Sequence, residues 1–425
     1  MEELLHYVWK HRLFELKPLA TTDGQPVEVI DPGLPNRNAG PDFFNAKIRI
    51  NGTLWVGNVE LHMKADEWFA HHHDRDAHYD NVILHVCIQA DAEAVTSTGR
   101  RPSQMVLSIP EKVRSHYAEL LAADAYPPCY RIIPQLSPLM VHSWMSALQV
   151  ERLQQKTEAI RHRADLCGGD WEAAFFVTLA RNYGFGVNGD AFEQWALSLP
   201  LQAAAHHRDD IFQIEALFLG TAGLLDTQAP GNSDDAYRTK LSTEYAYLAH
   251  KFGLHAIDGK VWRFLRLRPQ NFPYIRISQL VSLYCSRRAL LGNLVECSSL
   301  KQAAQLMATQ ATPYWQDHYT FGCKASHSNK RLSAASVNLI LINTFVPMLY
   351  AYGRHRGNEQ LCSRALEFLD SLKAESNHIV RQWAQCGLSV KTAGDSQALI
   401  QLKKQYCDRK DCLRCRIGYE YLKNR

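Results

Sequence analysis

The hydrophobic pattern of the chain changes near Tyr126-Pro127-Pro128. Before this point, short runs of alternating apolar and polar residues are separated by turn sequences such as Asp31-Pro32-Gly33, which predicts strands. After it, nearly every apolar-rich segment has the period of a helix. The chain is therefore expected to be an α+β protein, with an α/β domain over residues 1–125 and a large, mainly helical domain over residues 126–425.

Individual elements can be placed within this division. The first part is expected to contain an opening helix, strands over 26–31, 43–51, 53–64 and 81–89, and a helical turn over 65–72. Helices are expected downstream over 137–163, 190–224, 235–253, 334–352, 358–373 and 396–406. Another helix should begin at its cap Asp170 and end at Gly184.

Composition excludes several classes of protein. A chain of 425 residues that is 46% hydrophobic and 21% charged is not disordered over most of its length. Its 11 cysteines are an odd number and do not resemble a secreted disulfide framework, so a cytoplasmic location is expected. The most apolar run, Val337 to Tyr352, is interrupted by polar residues and is interpreted as a core helix, so no membrane segment is predicted.

The net charge of +4 hides an uneven distribution. Residues 1–125 carry 12 basic and 18 acidic side chains, a balance of −6, and residues 126–425 carry 35 and 25, a balance of +10. An acidic part can collect divalent cations and a basic part can collect polyanions. This pattern predicts a basic surface that is segregated from any metal site.

The most informative segment is a hairpin around Asn51-Gly52, a dipeptide that favours a two-residue turn between paired strands. On the second strand, Glu60, His62 and Lys64 share one face. Strict register places Asp42 across from Leu61, so a meeting of Asp42 and Glu60 requires a longer turn or a bulge. Gly57 is a plausible site for that bulge. Two such carboxylates can hold Mg²⁺ or Mn²⁺ and activate a water molecule for attack on a phosphodiester.

These residues resemble the PD-(D/E)XK nuclease superfamily. The resemblance rests on Pro41-Asp42, the hairpin and Glu60-x-His62, and it covers about the first 90 residues. It implies a restriction-endonuclease-like α/β fold with a mixed sheet, metal binding by Asp42 and Glu60, and an additional acid at Glu3 on the first helix. His62 stands where the superfamily usually has Lys, so His62 or Lys64 is expected to assist catalysis, or else the activity has been lost.

Other histidines follow the hairpin. His71-His72-His73 and Tyr79 can line the same cleft or bind a metal, although such a run is more commonly a solvated loop. His85 lies inside an apolar run and is interpreted as a hydrogen-bonded core residue.

A second signal is Cys407-x4-Cys412-x2-Cys415. A Cys-x2-Cys pair directs two thiolates to one centre, and the spacing predicts a Zn²⁺ site or a [4Fe–4S] cluster. The alternative is three ordinary cysteines. The fourth ligand is not adjacent in sequence, and the candidates for it are Cys386, Cys323, Cys129 and His327.

A third signal is a stretch of arginines interleaved with aromatic residues. Such a stretch can contact phosphates and stack bases, although helix cores flanked by arginines have the same pattern. The expected nucleic-acid-binding residues are Arg263, Arg266, Arg268 and Arg276. The last 25 residues are also basic, with eight Lys and Arg against three Asp and Glu.

Together these signals predict a metal-dependent nuclease acting on DNA or RNA, with DNA favoured. The alternatives are a non-catalytic nucleic-acid-binding or scaffold protein that retains the fold, and a metal-dependent hydrolase with another substrate. The whole chain also resembles a bacterial family catalogued only as a domain of unknown function. This second resemblance rests on the segments AGPDFFNAKI, GNVELHMKADEW, YDNVILHV, RPQNFPYIRI and YCDRKDCLRC.

Overall fold

A computed structural model describes residues 1–14, 18–36, 38–226 and 235–423. The chain forms two compact units. The first unit comprises residues 1–138, 385–388 and 403–425, and the second comprises residues 139–384 and 389–402. The helical region predicted from the sequence therefore contributes three segments, 126–138, 385–388 and 403–425, to the first unit.

Residues 1–138 form a mixed α/β arrangement. Its helices and strands are α1 (Glu2–His11), β1 (Leu19–Ala20), β2 (Pro26–Asp31), β3 (Leu34–Pro35), β4 (Phe43–Ile50), β5 (Thr53–Lys64), α2 (Glu67–Ala70), β6 (Val82–Gln89), β7 (Ser103–Val106) and α3 (Glu111–Ala122). The predicted strands are present within one or two residues of their expected ends. The sequence pattern does not predict β7, which is four residues long and depends on its hydrogen bonds to β6.

The strands form a seven-stranded mixed sheet in the order β1-β2-β4-β5-β6-β7, with β3 paired to β4. The pairs from β1 to β5 are antiparallel, and β6 lies parallel to both β5 and β7. The buried face of α1, which includes Leu5, Val8 and Trp9, packs against β5. The order of one helix, three antiparallel strands, a short helix and a parallel strand is the order expected from the sequence. The α+β class is thus observed.

The second unit is helical. Its helices are α4 (Pro138–Leu166), α5 (Trp171–Tyr183), α6 (Gly189–Ser198), α7 (Leu201–His206), α8 (Ile211–Thr221), α9 (Ala236–Phe252), α10 (Pro273–Cys285), α11 (Leu291–Glu296), α12 (Leu300–Met307), α13 (Pro313–Gln316), α14 (Ala334–Ile340), α15 (Val346–Arg356), α16 (Glu359–Ser371), α17 (His378–Gln385) and α18 (Ala393–Leu402). A small hairpin joins β8 (His318–Thr320) to β9 (Cys323–Lys324). One continuous apolar core runs through the unit.

The predicted helix over 190–224 is wrong as a single element, because it consists of α6, α7 and α8. The break before α7 is at Pro200, which has no N–H to continue a helix. The break before α8 is at Asp210, whose carboxylate accepts hydrogen bonds from the N–H groups of Phe212 and Gln213.

One helix in the described part of the chain, Ala334–Arg356, has the length and apolarity of a membrane span. It combines α14, a π-helical turn over Leu341–Phe345, and α15. About two thirds of its most apolar window is buried inside the protein. This is the arrangement of a core helix, as the interruptions in the apolar run indicated.

The chain ends in the first unit with α19 (Arg416–Lys423). This helix packs against α3, and the Tyr421 hydroxyl donates a hydrogen bond to the Glu119 carboxylate at 2.8 Å. The ring of Tyr419 lies 4.9 Å from that of His11 on α1. The C-terminal segment therefore forms part of the packing of the α/β unit.

Candidate functional site

The hairpin between β4 and β5 has the predicted two-residue turn, with Ile50 paired to Thr53. A one-residue bulge interrupts β4, as the meeting of the two carboxylates requires. Its position is Asn45, which has a positive φ of 54°, and not the expected Gly57. Asparagine tolerates this backbone conformation better than most residues do.

The bulge brings Asp42 beside Glu60. Beyond the bulge Phe43 pairs with Val59. Asp42 precedes Phe43 and Glu60 follows Val59, so the two acids lie opposite each other. The Asp42 N–H donates to Glu60 Oε2 at 2.9 Å, and the Leu61 N–H donates to Asp42 Oδ2 at 3.0 Å. The backbone N–H of Asp42 thus holds the Glu60 carboxylate, and the backbone N–H of Leu61 holds the Asp42 carboxylate, at one end of the hairpin.

Three imidazole rings face these carboxylates. His73 Nε2 lies 3.3 Å and His62 Nε2 3.5 Å from Glu60 Oε1, and His6 Nε2 lies 3.3 Å from Asp42 Oδ2. All three nitrogens are buried and have no hydrogen-bond partner. Ligands bound at about 2.1 Å to one metal ion stand about 3.0 to 3.4 Å apart at octahedral and tetrahedral angles. The distances from Glu60 Oε1 to His73 and His62, 3.3 and 3.5 Å, lie within or just above this range, so these three groups could share a metal ion.

His71 adds a further donor. One ring nitrogen each of His62, His71 and His73 lies within 4.8 Å of the other two, so this group could hold a metal ion. His71 is exposed and the other two rings are buried, so the group opens towards solvent on the His71 side. A site with buried and exposed ligands leaves room for water or a substrate at the metal.

A hydrogen-bonded chain sets the protonation of His62. The Gln104 amide NH₂ donates to the Ala92 carbonyl at 2.9 Å, which leaves the Gln104 oxygen to accept from His85 Nδ1 at 3.3 Å. His85 Nε2 is then an acceptor, and it lies 3.0 Å from His62 Nδ1, which must donate. His62 Nε2 consequently presents a lone pair towards Glu60. An acceptor facing a carboxylate requires a cation or a proton between them.

Aromatic packing holds His73 in place. Its ring stacks on Tyr79 at 3.7 Å between centroids and contacts the edge of Trp68 at 5.4 Å. Trp68 and Tyr79 belong to a small buried cluster with Val82. Tyr79, proposed from the sequence as a residue of the cleft, thus supports a histidine of the site.

Burial disfavours the charged forms of Asp42, Glu60, His62 and His73. Burial, followed by the charge of Asp42, raises the pKa of Glu60 to about 9, and burial also raises the pKa of Asp42. Burial, followed by His85, lowers the pKa of His62 to about 2, and burial lowers the pKa of His73. Burial is the largest cause of each of these shifts, and a divalent cation bound among these groups would favour the charged carboxylates and the neutral imidazoles.

The other predicted site residues lie nearer the periphery. Lys64 is exposed at the end of β5, and its backbone N–H donates to Glu67. Glu3 is exposed on α1 and lines a cavity together with His6 and Asp42. The acid of α1 closest to the site is Glu2, whose carboxylate lies 4.0 Å from His6 Nε2. Sequence reasoning missed His6, for which the only available signal was its helical i, i+4 spacing from Glu2.

That cavity has a volume of about 560 Å³ and is formed entirely by residues of the first unit. Its lining includes Glu3, His6 and Asp42. Basic side chains also line it, namely Lys10, Arg409, Lys410 and Arg414. The basic end of the chain therefore lies beside the carboxylates and is not segregated from them as the charge pattern predicted.

Comparison with known proteins gives one result. Residues 2–378 match the family described as "Protein of unknown function (DUF2851)". The chain belongs to the DUF2851 family. The search found no match among curated proteins and none among solved structures. None of these comparisons connects this DUF2851 chain with the PD-(D/E)XK superfamily, so that resemblance rests on the local motif and the order of elements.

The DUF2851 match contains the whole histidine–carboxylate site, but Cys407, Cys412 and Cys415 lie beyond it. In the first unit these cysteines interact electrostatically with one another and with Cys129. Cys129, Cys412 and Cys415 are buried, and Cys407 is partly so. Of the four candidates for a fourth ligand, the structure brings Cys129 to the cluster. Burial, followed by the neighbouring cysteines, raises the pKa of the Cys407 thiol.

The arginine stretch is not one helix, and its arginines differ in exposure. Arg263, Arg266 and Arg268 are exposed in irregular structure before α10. Arg276 is only 6% exposed and stacks over the Phe185 ring at 4.4 Å. Burial therefore separates Arg276 from the three exposed arginines.

Proposed function

We propose that this protein is a metal-dependent nuclease that hydrolyses phosphodiester bonds of a nucleic acid, with DNA as the first substrate to test. The proposal rests mainly on three buried, unpartnered imidazole nitrogens that face the carboxylates of Asp42 and Glu60. Burial without partners is costly for polar atoms, and metal coordination would satisfy the nitrogens of His62 and His73 while His6 stays available to act as a base.

The donor set narrows the choice of metal. Glu60, His62 and His73 offer one oxygen and two imidazole nitrogens, with Asp42 and His71 beside them. Imidazole suits first-row transition metals, whereas Mg²⁺ prefers oxygen ligands and retains water. Of the two ions expected from the sequence, Mn²⁺ is therefore favoured over Mg²⁺, and Zn²⁺ or Fe²⁺ would fit the same donors.

Each group then has a role in hydrolysis. An ion held by Glu60, His62 and His73 would supply Lewis-acid chemistry, lowering the pKa of a coordinated water molecule and polarising the scissile phosphate. His6 lies on the cavity side, outside the His62–His85–Gln104 chain, and is placed to accept the proton of that water. The hydroxide oxygen bonds to phosphorus as the bond between phosphorus and the leaving oxygen breaks. His62 was expected to assist the attacking water. Because the proposal makes His62 a metal ligand, it assigns that role to His6.

Two observations favour a phosphodiester as the substrate. The cavity that reaches Asp42 and His6 also presents Lys10, Arg409 and Arg414, which can neutralise a phosphate backbone. The order of elements around the two acids is also the order that the PD-(D/E)XK resemblance implies.

The test combines metal analysis with cleavage. Metal content should be measured on purified protein by mass spectrometry, and linear, circular and single-stranded DNA and RNA should be incubated with Mn²⁺, Mg²⁺ or Zn²⁺. We expect cleavage in Mn²⁺, and loss of both the metal and cleavage in Glu60→Gln and His73→Ala.

His72→Asn is the matched control. His72 belongs to the same histidine run but is exposed with a positive φ of 62°, which asparagine tolerates. It should retain both metal and activity. Metal binding without cleavage of any substrate would reject the nuclease and favour the non-catalytic alternative, and folded wild-type protein that binds no metal would reject the site itself.

We further propose that Cys129, Cys407, Cys412 and Cys415 hold a second metal centre, Zn²⁺ or [4Fe–4S]. Four cysteines are the usual ligand set of both. An optical spectrum of freshly purified protein distinguishes them, because an iron–sulfur cluster absorbs broadly in the visible range and Zn²⁺ does not.

Cys129→Ser should remove this metal, and Cys386→Ser should retain it. Cys386 is the matched control because it lies in the first unit, is partly buried, and its thiol pKa is raised by burial alone. Equal metal content in both variants and in the wild type would contradict the four-cysteine assignment.

A further inference from the structure

A polar cavity of about 300 Å³ lies within the helical unit. Its wall comes from residues 268–279 and 328–336. Four basic side chains line it, namely Arg268, Arg276, Lys330 and Arg331. Among the described residues, no Asp or Glu contributes to this wall. A concave site lined by positive charges alone concentrates anions.

Arg276 is the most unusual member of this wall. Its side chain is 6% exposed and donates to Gln279 Oε1 at 2.9 Å and to Asn271 Oδ1 at 2.5 Å. Its Nε is buried and has no hydrogen-bond partner. No carboxylate of the described residues pairs with Arg276, and burial lowers the pKa of its guanidinium to about 10. A buried guanidinium without a counter-ion is costly, and a bound anion would remove that cost.

Lys330 adds a charge that the backbone holds in place. Its amine donates to the carbonyl oxygens of Trp315 and His318 and lies 3.8 Å from the centroid of the Tyr319 ring. Burial lowers the pKa of this amine to about 8, and Asp317 opposes that effect. Asp317 does not line the cavity. Lys330 therefore contributes positive potential at neutral pH without being neutralised inside the cavity.

Hydroxyl groups complete the lining. Ser328, Ser333 and Ser336 face the same space, and the hydroxyls of Ser333 and Ser336 lie 3.0 Å apart. Hydroxyls can donate to oxyanion oxygens. The lining thus combines planar guanidinium groups with short neutral donors, a combination suited to a tetrahedral oxyanion.

A second basic cavity in the same unit shows the contrast. It has a volume of about 320 Å³, and its lining includes Arg163 and Arg181. There Glu193 forms ion pairs with both arginines, and Asp190 pairs with Arg181. Protein carboxylates already compensate those charges, whereas the cavity around Arg276 lacks such partners.

We propose that the cavity formed by Arg268, Arg276, Lys330 and Arg331 is a binding site for a phosphate dianion. The ligand is either free inorganic phosphate or the terminal phosphate of an oligonucleotide, since a volume of about 300 Å³ admits one such group and not a duplex. The inference rests only on the helical unit and does not depend on the proposed nuclease activity.

Calorimetric titration of the full-length protein with inorganic phosphate, at constant ionic strength, tests the proposal. Exposed Arg268 and Arg331 can be replaced by alanine with little risk to the fold. Arg268→Ala and Arg331→Ala should each weaken binding about tenfold, the usual effect of losing one charge-assisted hydrogen bond. Arg276→Lys keeps the charge but loses the guanidinium fork and should weaken binding similarly.

Arg263→Ala is the matched control, because Arg263 is an exposed arginine of the same segment that does not line the cavity. It should leave affinity unchanged within about twofold, the effect of a distant screened charge. A 5′-phosphorylated oligonucleotide and its 5′-hydroxyl form separate the two sources of the ligand. Preference for the phosphorylated form over inorganic phosphate would identify a terminal phosphate, and equal affinity would identify the free ion.

Two results would overturn the proposal. One is the absence of saturable binding of both inorganic phosphate and the 5′-phosphorylated oligonucleotide to folded wild-type protein. The other is an equal loss of affinity in Arg263→Ala and Arg268→Ala, which would indicate general charge attraction and no defined site.

Discussion

At the scale of single residues, Gln104 determines the orientation of the His62 ring through two hydrogen bonds that pass through His85. Gln104 is oriented by the Ala92 carbonyl, and through His85 it requires His62 to donate from Nδ1. The free lone pair of His62 is therefore a consequence of its neighbours. If His62 binds a metal, a partner that fixes its orientation in this way also influences the affinity for that metal.

We predict that Gln104→Leu will weaken metal binding about 10- to 100-fold, the usual effect of losing such a partner. Gln89→Leu, at an exposed position of β6, is the control and should have no effect. Competition with a metal-binding dye measures both affinities. Equal affinity in the two variants would show that the chain through His85 does not orient His62.

Glu215 is a buried acid outside the proposed sites. It accepts hydrogen bonds from Tyr237, Thr312 and Trp315. Burial raises its pKa from 4.5 to about 7. Below pH 4.5 the carboxyl is protonated in both the folded and the unfolded chain, so it contributes no pH dependence. Between 4.5 and 7 only the unfolded chain loses the proton, so stability falls as pH rises, and above 7 the cost is constant.

Glu215→Gln should remove this dependence, because its amide oxygen can accept from Trp315 and Thr312 while its NH₂ donates to the Tyr237 oxygen. From acidic pH to above pH 7, the free energy of unfolding of the variant should gain on that of the wild type by on the order of 3 kcal/mol. Urea denaturation at several pH values measures this difference. A difference that stays constant with pH would contradict the assignment to Glu215.

At the scale of elements, two residues of the central hairpin have different tasks. Asn45 supplies the bulge that sets Asp42 against Glu60. Gly57 permits β6 to approach β5, since a Cβ there would lie 2.4 Å from Ile83 Cγ2 and 2.9 Å from the Asn81 carbonyl oxygen. The sequence indicated that a bulge was needed and suggested Gly57 for it. In the structure Gly57 instead allows close packing of β5 and β6.

We predict that Gly57→Ala will destabilise the protein by about 1–3 kcal/mol, because overpacking forces the strands apart. Gly292→Ala is the control, since Gly292 lies in α11 with open space around its Cα and an ordinary φ. It should be neutral or slightly stabilising. Thermal denaturation of both variants gives the comparison, and a Gly57→Ala variant as stable as Gly292→Ala would refute the close-approach argument.

At the scale of the whole molecule, the α/β unit is assembled from distant parts of the chain. Residues 403–425 return to it and place α19 against α3, and Lys410 donates to the Leu121 carbonyl. These contacts bring both the basic residues of the site cavity and three of the four clustered cysteines into the first unit.

Deleting residues 403–425 should therefore expose α1 and α3, and amide hydrogen exchange in both helices should rise by at least about tenfold, because they lose packing as well as the proposed second metal. Lys404→Ala, at an exposed position of the same segment, is the control and should leave exchange unchanged. Unaltered protection of α1 and α3 in the longer deletion would show that the C-terminal segment does not stabilise this unit.

The chain alone determines much of this protein, because some patterns act locally. The change from strand to helix period near residue 126, the Asn51-Gly52 turn and the Cys-x2-Cys pair depend on neighbours a few residues apart, and their positions can be predicted. The sequence also predicts that Asp42 and Glu60 lie near each other, because the register of the hairpin determines which residues of its two strands are opposite.

Only the tertiary structure brings His6, His73, Cys129 and the C-terminal arginines to their sites. Their contacts join residues of the described chain that are as much as several hundred positions apart, and no local period encodes such a distance. Three features depend on how buried surfaces fit together: the position of the bulge, the partners of Arg276, and the packing of α19 against α3. That fit is a property of packing in three dimensions.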